Sequence, residues 1–161
     1  MEKEDLIQRL PHFYPFRMID RILEIEPGKR ALTLKNVSVD EPFLRGHFPN
    51  EPVMPDLLIL EAMAQTGGIA FHSLPGDEED DVLYLAGVDE FRAKKRVVPG
   101  DQMVLEAEIE RVFSNLAKVN VIARVDGEIV AEGALVLAKG PPIDKERGSR
   151  SHGSEGSSEK K

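Results

Sequence analysis

The chain contains no cysteine. This absence excludes disulfides, thiolate catalysis, cysteine-ligated zinc and iron–sulfur clusters. An apolar run of roughly 18 residues, the length of a membrane span, is also missing, because Glu61 and Gln65 interrupt the best candidate. A surplus of positive charge is missing too, since the formal net charge is −8 and a general nucleic-acid binder would be basic.

The chain begins with the charged stretch MEKEDLIQRL, which is unlike a signal or transit peptide. We therefore expect a cytoplasmic protein that binds neither membrane nor nucleic acid. Its 161 residues, 41% apolar and 31% charged, suit one globular domain.

The composition changes at Gly140, where the chain becomes rich in Gly, Ser and charged residues. Such a segment cannot bury enough surface to offset the entropy of ordering it. We therefore predict a folded domain over residues 1–139 and a disordered polar tail over residues 140–161. The acidic run from Asp77 to Asp81 is predicted to be a solvated, mobile loop.

Residues 55–73 have the strongest helical pattern. Pro55 suits a helix start because its missing N–H is not needed there, and Asp56 suits the positive end of the helix dipole. Nearly every face is apolar, which indicates a buried helix. The exceptions fall at helical spacing in one narrow stripe: Glu61, Gln65, Gly68 and His72.

Most of the remaining sequence alternates apolar and polar residues with the period of a strand. The predicted strands are Met18–Ile25, Ala31–Ser38, Val82–Phe91, Met103–Glu110, Ala117–Val125 and Glu128–Ala138. Tight turns are predicted at Pro27-Gly28 and Asp126-Gly127. One long apolar helix among strand hairpins predicts an α+β fold, in which an antiparallel sheet wraps around that helix.

Two residues are candidates for acid–base chemistry. Glu61 lies on a helix predicted to be buried, where a carboxylate is costly unless it is paired. The alternative is that its stripe opens to solvent or to a subunit contact. His47 lies in the irregular Gly46-His47-Phe48-Pro49 loop, and a histidine opposite a buried acid would make a general acid/base pair. A plain structural or surface role is the alternative for His47.

The other histidines have simpler predicted roles. His12 lies in an aromatic and proline-rich segment that should pack as a lid or an N-terminal brace. His72 ends the predicted helix, where a cation favours the C-terminal dipole, so we expect it to cap the helix. His47, Glu61 and His72 match no known zinc spacing, and no Gly-rich phosphate loop or GxSxG motif is present. The pattern therefore predicts no metal and no cofactor.

Longer motifs recur in an order that resembles a known family. They are Leu10-Pro11-His12-x-Tyr14-Pro15-Phe16, Asp20-Arg21, Lys35-Asn36-Val37, Glu41-Pro42-Phe43, Gly46-His47-Phe48-Pro49, Pro52-Val53-Met54-Pro55, Leu60-Glu61-Ala62-Met63-Ala64-Gln65 and Val98-Pro99-Gly100-Asp101. Together they resemble the FabZ type of (3R)-hydroxyacyl-[acyl carrier protein] dehydratase of bacterial fatty acid synthesis. The resemblance covers about residues 6–138 and leaves the tail outside.

The resemblance implies the hot-dog fold, an antiparallel sheet wrapped around a long central helix. It also implies that His47 and Glu61 are the catalytic pair and meet across the interface of a homodimer, with dimers commonly assembling into hexamers. The substrate would be a 3-hydroxyacyl thioester on the phosphopantetheine arm of acyl carrier protein, and no cofactor would be needed. His47 would remove the C2 proton, and Glu61, directly or through a water, would protonate the leaving hydroxyl.

The start of the predicted helix departs from the family. After Met54-Pro55 the family usually has glycine, whose amide points at the thioester oxygen, whereas this chain has Asp56. We assign the backbone at Asp56 and Leu57 to stabilising that oxygen. Either the Asp56 side chain points outward and activity survives, or its charge leaves a weakened or inactive subunit that binds acyl carrier protein. A hot-dog thioesterase is a further alternative.

Two further sets of residues are expected to contact the substrate. Gln65, Phe48 and Met54 are predicted to line the substrate tunnel, whose depth we expect to depend on Met63, Ile69 and Phe71. Acyl carrier protein is acidic, so its docking site should be a basic cluster, which we predict at Arg92, Lys94, Lys95 and Arg96. The alternative for that cluster is a solvated strand end.

Overall fold

The computed structural model describes residues 3–48, 50–77 and 81–141, so nearly all of the predicted tail and part of the acidic run lie outside the described residues. Two α-helices, one short 3-10 helix and six strands make up this part of the chain. In chain order they are α1 (Lys3–Gln8), β1 (Arg21–Glu26), β2 (Arg30–Asn36), the 3-10 helix (Pro42–Arg45), α2 (Asp56–His72), β3 (Val82–Ala93), β4 (Gln102–Phe113), β5 (Leu116–Val125) and β6 (Glu128–Gly140).

Helix α2 is the centre of the molecule. It agrees with the predicted span to within a residue at each end, because Pro55 precedes its first turn and Pro75 follows soon after its last. Every residue from Ile59 to His72 is buried except Glu61, which confirms the prediction of a buried helix. Among the described residues, no helix is long and apolar enough to cross a membrane.

The six strands form one antiparallel sheet in the order β1-β2-β4-β5-β6-β3. The predicted turn between β5 and β6 is confirmed, since Asp126 and Gly127 have φ values of 50° and 80°, as a tight hairpin turn requires. Strand β1 begins later than predicted because the Met18 amide donates to the Gln65 Oε1 atom at 2.8 Å instead of joining the sheet. The fold is α+β, as predicted.

The core lies between α2 and one face of the sheet. The alternation predicted for β4 and β5 is confirmed, since Leu105, Ala107, Val119 and Val121 are buried while the Glu106 side chain faces outward and contacts Arg30 and Arg124. A hydrogen bond of 2.7 Å between the Thr33 and Thr66 hydroxyls ties β2 to α2 inside this core. The sheet thus wraps around the helix and leaves its polar stripe at one side.

Candidate active site

The four stripe residues of α2 share one cavity, which we call the acid cavity. Its volume is about 220 Å³, and Glu61, Gln65, Gly68 and His72 all line it. The prediction that these side chains form one stripe is therefore confirmed. The rest of the lining is mainly apolar and comes from the N-terminal segment, α2 and strands β3 and β6: Leu10, Ala64, Leu83, Leu85 and Leu137.

Glu61 is held at one carboxylate oxygen. Gln65 donates its Nε2–H to Glu61 Oε1 at 2.9 Å, and His12 Nε2 lies 3.4 Å from the same atom. The side chain of Glu61 is 20% exposed, so it is neither a surface acid nor a fully buried one. Because both contacts use Oε1, the contacts found among the described residues leave Oε2 available to a ligand.

His12 is a site residue whose contact with Glu61 the sequence pattern did not reveal. Burial lowers the pKa of His12 below 6.5, with Glu61 opposing the shift and Arg17 adding to it. The imidazole is therefore neutral near pH 7. Its Nδ1 atom is buried without a hydrogen-bond partner among the described residues, so the tautomer that carries its proton on Nε2 suits the contact with Glu61.

Gln65 fixes the N-terminal segment against α2. Its Oε1 atom accepts from the Met18 amide at 2.8 Å, and its Nε2 group donates to the Phe16 carbonyl at 2.8 Å as well as to Glu61. A fully buried amide that meets three partners in this way is rigid. The segment that contains His12 is thus braced over the acid cavity, in line with the predicted brace.

The far end of the acid cavity holds a buried ionic cluster. His72 donates its Nδ1–H to Asp77 Oδ2 at 2.7 Å, and Arg9 Nη2 lies 2.7 Å from the same oxygen. Lys139 contacts Asp77 Oδ1 at 2.9 Å and Asp81 Oδ2 at 2.7 Å. The side chains of His72 and Asp77 are each only 2% exposed.

Two predictions were wrong at this cluster. Asp77 is not a solvated loop residue, because three side chains compensate its buried charge; residues 78–80 of the same run lie outside the described part. His72 does end α2, but its ring bonds Asp77 instead of capping the helix, and Arg9 Nη1 donates to the His72 carbonyl at 3.1 Å. Burial lowers the pKa of His72, although Asp77 opposes the shift.

His47 lies in a second cavity of about 430 Å³, which we call the histidine cleft. Its Nδ1 atom is 3.2 Å from the Val53 carbonyl oxygen. A carbonyl only accepts, so this contact places the proton on Nδ1 and leaves the lone pair of a neutral ring on Nε2, where a base needs it. Phe48 stacks beside the ring at a centroid distance of 4.3 Å and is 62% exposed.

The start of α2 borders the same cleft. Asp56 and Leu57 line it, and both side chains are exposed. The first backbone N–H in this turn with a described backbone acceptor is that of Leu58, which donates to the Pro55 carbonyl at 2.9 Å. The N–H groups of Asp56 and Leu57 precede it and carry the positive end of the helix dipole.

The predicted tunnel residues are divided between different places. Gln65 lines the acid cavity, whereas Phe48 and Met54 line the histidine cleft. The residues expected to set the tunnel depth do not line either cavity: Met63, Ile69 and Phe71 are buried in the core. That prediction was wrong because the helix is buried on several sides, so an apolar side chain alone does not show which side borders a cavity.

Three residues of the predicted basic cluster lie beside the histidine cleft: Lys94, Lys95 and Arg96 line a pocket with Asp56, and Arg96 also lines the cleft. Arg92 instead lines a separate pocket with Glu90 and Glu132. Lys94 contacts Glu132 at 2.6 Å. Lys95 forms an ion pair with Glu128, and Arg96 forms one with Glu51. Three of the four predicted cations therefore have a carboxylate partner, which weakens the positive potential of this surface.

The described residues contain no group of three or more His, Asp or Glu side chains placed to hold a metal ion. His47 and Glu61 also lie apart, since the histidine cleft and the acid cavity have no lining residue in common within the described part of one chain. The geometry of one chain thus offers an imidazole and a carboxylate in two separate cavities.

A six-stranded antiparallel sheet around one long buried helix defines the hot-dog class of α+β proteins. The chain resembles the solved hot-dog-like protein from Thermanaerovibrio acidaminovorans, with a TM-score of 0.57 and 23% identity over 73% of this chain and 84% of that one. The dehydratase heterocomplex ApeI:P from Xenorhabdus doucetiae matches with a TM-score of 0.70 and 16% identity over 84% and 90%. At these identities the likeness concerns the fold.

Sequence comparison identifies the family. The model of the FabA-like domain matches residues 10–139, and the chain belongs to this family. It is 50% identical over 143 residues to the 3-hydroxyacyl-[acyl-carrier-protein] dehydratase FabZ of Dechloromonas aromatica, covering 86% of this chain and 98% of the relative. The FabZ dehydratase of Erwinia tasmaniensis is 49% identical over 137 residues, covering 84% and 91%.

Proposed function

We propose that this chain dehydrates (3R)-hydroxyacyl-[acyl carrier protein] to trans-2-enoyl-[acyl carrier protein], with His47 and Glu61 as the catalytic pair. It is a hydro-lyase of fatty acid biosynthesis, as its FabZ relatives of nearly the same length are named. The observation that carries the assignment of the pair is the contact between His47 Nδ1 and the Val53 carbonyl, since it leaves Nε2 free to act as a base.

The reaction needs one proton removed and one supplied. His47 Nε2 takes the C2 proton, and the electron pair of the broken C2–H bond forms the C2–C3 double bond. In this step Glu61 takes part as the neutral acid. The C3–O bond breaks as the Oε2–H of Glu61 gives its proton, directly or through a bound water, to the leaving hydroxyl, which departs as water and leaves Glu61 as the carboxylate. Each positioned group of this kind contributes about 10²–10⁴ in rate. The residues require no cofactor for these steps, and the acyl group arrives on phosphopantetheine.

The thioester oxygen gathers negative charge as the C2 proton leaves. The N–H groups of Asp56 and Leu57 are the donors we assign to that oxygen, because they lie at the positive end of α2 beside His47. The carboxylate of Asp56 is exposed, and we propose that it points to solvent.

We further propose that the active site is shared by two chains of a homodimer. His47 and Glu61 line separate cavities in one chain. Apolar side chains are exposed beside both: Phe48 and Leu57 at the histidine cleft, and Leu85 on the edge strand β3 at the acid cavity. A second copy that covered these residues could bring its histidine to the first chain's glutamate. Assembly of such dimers into hexamers follows the family resemblance.

Mixing two inactive variants tests the shared site. We expect His47→Ala and Glu61→Gln each to lower kcat at least about 100-fold, because each removes one proton-transfer group. When the two variants are co-expressed, each mixed dimer holds one site with both native residues. Random pairing therefore restores about a quarter of the wild-type activity.

The outcomes of the mixing experiment separate the parts of the proposal. No recovery on mixing, with both single variants inactive, would reject sharing but keep the catalytic pair. Full activity of either single variant would reject that residue's role. Release of free thiol from the acyl thioester, instead of the enoyl product, would identify a thioesterase.

Acyl carrier protein is the substrate carrier, and we propose that it docks at Arg92, Lys94, Lys95 and Arg96. Lys94, Lys95 and Arg96 lie beside the histidine cleft, where the thioester must enter. The ion pairs with Glu132, Glu128 and Glu51 would then exchange for carboxylates of the carrier. We also propose that the protein is cytoplasmic, and this proposal rests only on its similarity to FabZ dehydratases.

Charge reversal tests the docking site. The double variant Lys94→Glu/Lys95→Glu should raise KM for the carrier-bound substrate several-fold, since it places negative charge against an acidic partner. The same variant should leave KM for a pantetheine thioester unchanged. Lys29→Glu, at an exposed lysine on the β1–β2 turn, is the matched control. Equal losses with both substrates would contradict docking at this cluster.

A further inference from the structure

The far end of the acid cavity contains a fixed polar group that the proposed chemistry does not use. Glu61 and His72 line the same cavity, and the rise between them along α2 is about 16 Å at 1.5 Å per residue. Gln65 and Gly68 lie between them on the same stripe. The cavity therefore follows the helix from the acid to the imidazole.

The walls between these two points suit an alkyl chain. Leu10, Leu83 and Leu137 contribute apolar side chains to the lining. Gly68 has no side chain, so the helix leaves the most room for a ligand about midway along the cavity. An acyl chain whose thioester lay near Glu61 would extend over Gly68 towards His72.

The His72 ring is held firmly in place. Its Nδ1–H bonds Asp77, and Asp77 is itself fixed by Arg9 and Lys139. Pushing the ring aside would break a hydrogen bond between side chains that are each 2% exposed. Asp77 would keep Arg9 and Lys139, but the displaced ring would lose the partner of its buried Nδ1–H, and a buried donor without a partner is costly. An alkyl chain that reached this end would thus meet a wall that is both polar and rigid.

We propose that His72, held by Asp77, is the specificity-determining residue that ends the acyl site and restricts the enzyme to short and medium acyl chains. The inference rests on the proposed function, because it takes the acid cavity as the place of the acyl group. The ionic cluster at the end of α2 then has the role of holding His72 in place at the end of the acyl site.

The variant that tests this role is His72→Ala. Asp77 keeps Arg9 and Lys139 as partners after the change, so its buried charge stays compensated. Ser73→Ala is the matched control at the adjacent position. It removes hydrogen bonds to the Gly28 amide and the Ala70 carbonyl at the same helix end, and Ser73 does not line the acid cavity.

The experiment measures kcat/KM for carrier-bound 3-hydroxyacyl substrates from butanoyl to hexadecanoyl. For the wild type we expect kcat/KM for the hexadecanoyl substrate to be at least tenfold, roughly, below kcat/KM for the octanoyl substrate. In His72→Ala the ratio of the hexadecanoyl to the octanoyl kcat/KM should be about tenfold higher than in the wild type. Ser73→Ala should keep the wild-type ratio. Binding of amide-linked acyl pantetheines of the same lengths is measured by calorimetry in parallel.

The two readouts distinguish this inference from the proposed function. A wild type that binds the amides but turns over no substrate would reject the proposed function, while the binding profile would still test His72. The inference is overturned if His72→Ala and wild type show the same dependence on chain length in both readouts. It is overturned as well if Ser73→Ala shifts the profile as much as His72→Ala.

Discussion

At the scale of single residues, the surroundings of Glu61 explain how a carboxylate persists on a buried helix. Gln65, one turn further along, donates to it, and His12 approaches the same oxygen. The first contact is one that the predicted stripe allows, because residues four apart share a helix face. It could not predict the second, since His12 reaches Glu61 only after the N-terminal segment folds over α2.

The same limit applies to Asp77. Its sequence neighbours are acidic, which favours a solvated loop, and its partners Arg9, His72 and Lys139 come from three other parts of the chain. Burial acts to raise the pKa of Asp77, but hydrogen bonds from Lys139 and His72 outweigh it and hold the pKa below 3.8. His72 is only five residues before Asp77, but Arg9 and Lys139 are distant in the sequence, and local sequence carries no information about those two partners.

The residue that departs from the family, Asp56, gives a direct test. We expect the wild type to be active and Asp56→Gly to change kcat/KM less than about tenfold, because the Asp56 carboxylate is exposed and we propose that it points to solvent, away from the enolate. The variant should also lose about 0.5–1 kcal/mol of unfolding free energy, since it removes a favourable charge from the first turn. Enoyl-thioester hydration and thermal unfolding measure the two effects.

An inert wild type with an active Asp56→Gly variant would reverse this interpretation. The Asp56 carboxylate would then repel the developing charge, and the natural chain would be a carrier-binding subunit. His47→Ala in the Asp56→Gly background should be inactive in either case.

At the scale of elements, α2 shows what periodicity can and cannot predict. Its length, burial and polar stripe all follow from the sequence pattern. The pattern does not show which buried side borders a cavity, and so Met63, Ile69 and Phe71 were assigned to the tunnel although they belong to the core. The packing of the N-terminal segment, β3 and β6 around the helix decides which side borders the acid cavity.

The two neighbouring glycines of α2 offer a matched pair of variants. A Cβ at Gly68 would lie 3.7 Å from Leu10 and Leu83, which is ordinary contact, whereas a Cβ at Gly67 would lie 3.1 Å from Leu137. Gly68→Ala should raise the unfolding free energy by about 0.5–1 kcal/mol through helix propensity. It should also disfavour long acyl chains, because the new methyl group narrows the acid cavity.

Gly67→Ala is the control, since Gly67 does not line the acid cavity. Its crowding against Leu137 should cancel the gain in propensity, and its dependence on chain length should match the wild type. Chemical denaturation and the kinetic series measure the pair. A Gly68→Ala variant with unchanged chain-length dependence would show that the acyl group does not pass this point.

At the scale of the whole molecule, the ionic cluster links stability to pH. Burial lowers the pKa of His72 below 6.5, so the folded chain binds this proton more weakly than the unfolded chain does. The contribution of neutral His72 is therefore fully present above about pH 6.5 and is lost as the pH falls towards the folded-state pKa. Asp77, with its lowered pKa, contributes in the same direction only at more acidic pH.

We accordingly expect the Tm of the wild type to fall between about pH 7 and pH 5, and to fall less steeply in His72→Gln. Burial lowers the pKa of His12 as well, so the dependence of Tm on pH should be weaker still in the His12→Gln/His72→Gln double variant. Differential scanning calorimetry at several pH values measures these slopes. If the Tm of the wild type and the Tm of His72→Gln fell equally with pH, His72 would not be the group that links stability to pH.

The order of the sheet has a consequence for how the protein is made. Strand β3 precedes β4 in the chain, yet it pairs with β6, the last strand of the described sheet to leave the ribosome. Until translation has passed Gly140, β3 has no neighbour, and both Leu137 and Lys139 are missing from the acid cavity and its ionic cluster. The nascent chain can form α2 and the first hairpin early, but the acyl site is completed only when synthesis of the domain is almost finished.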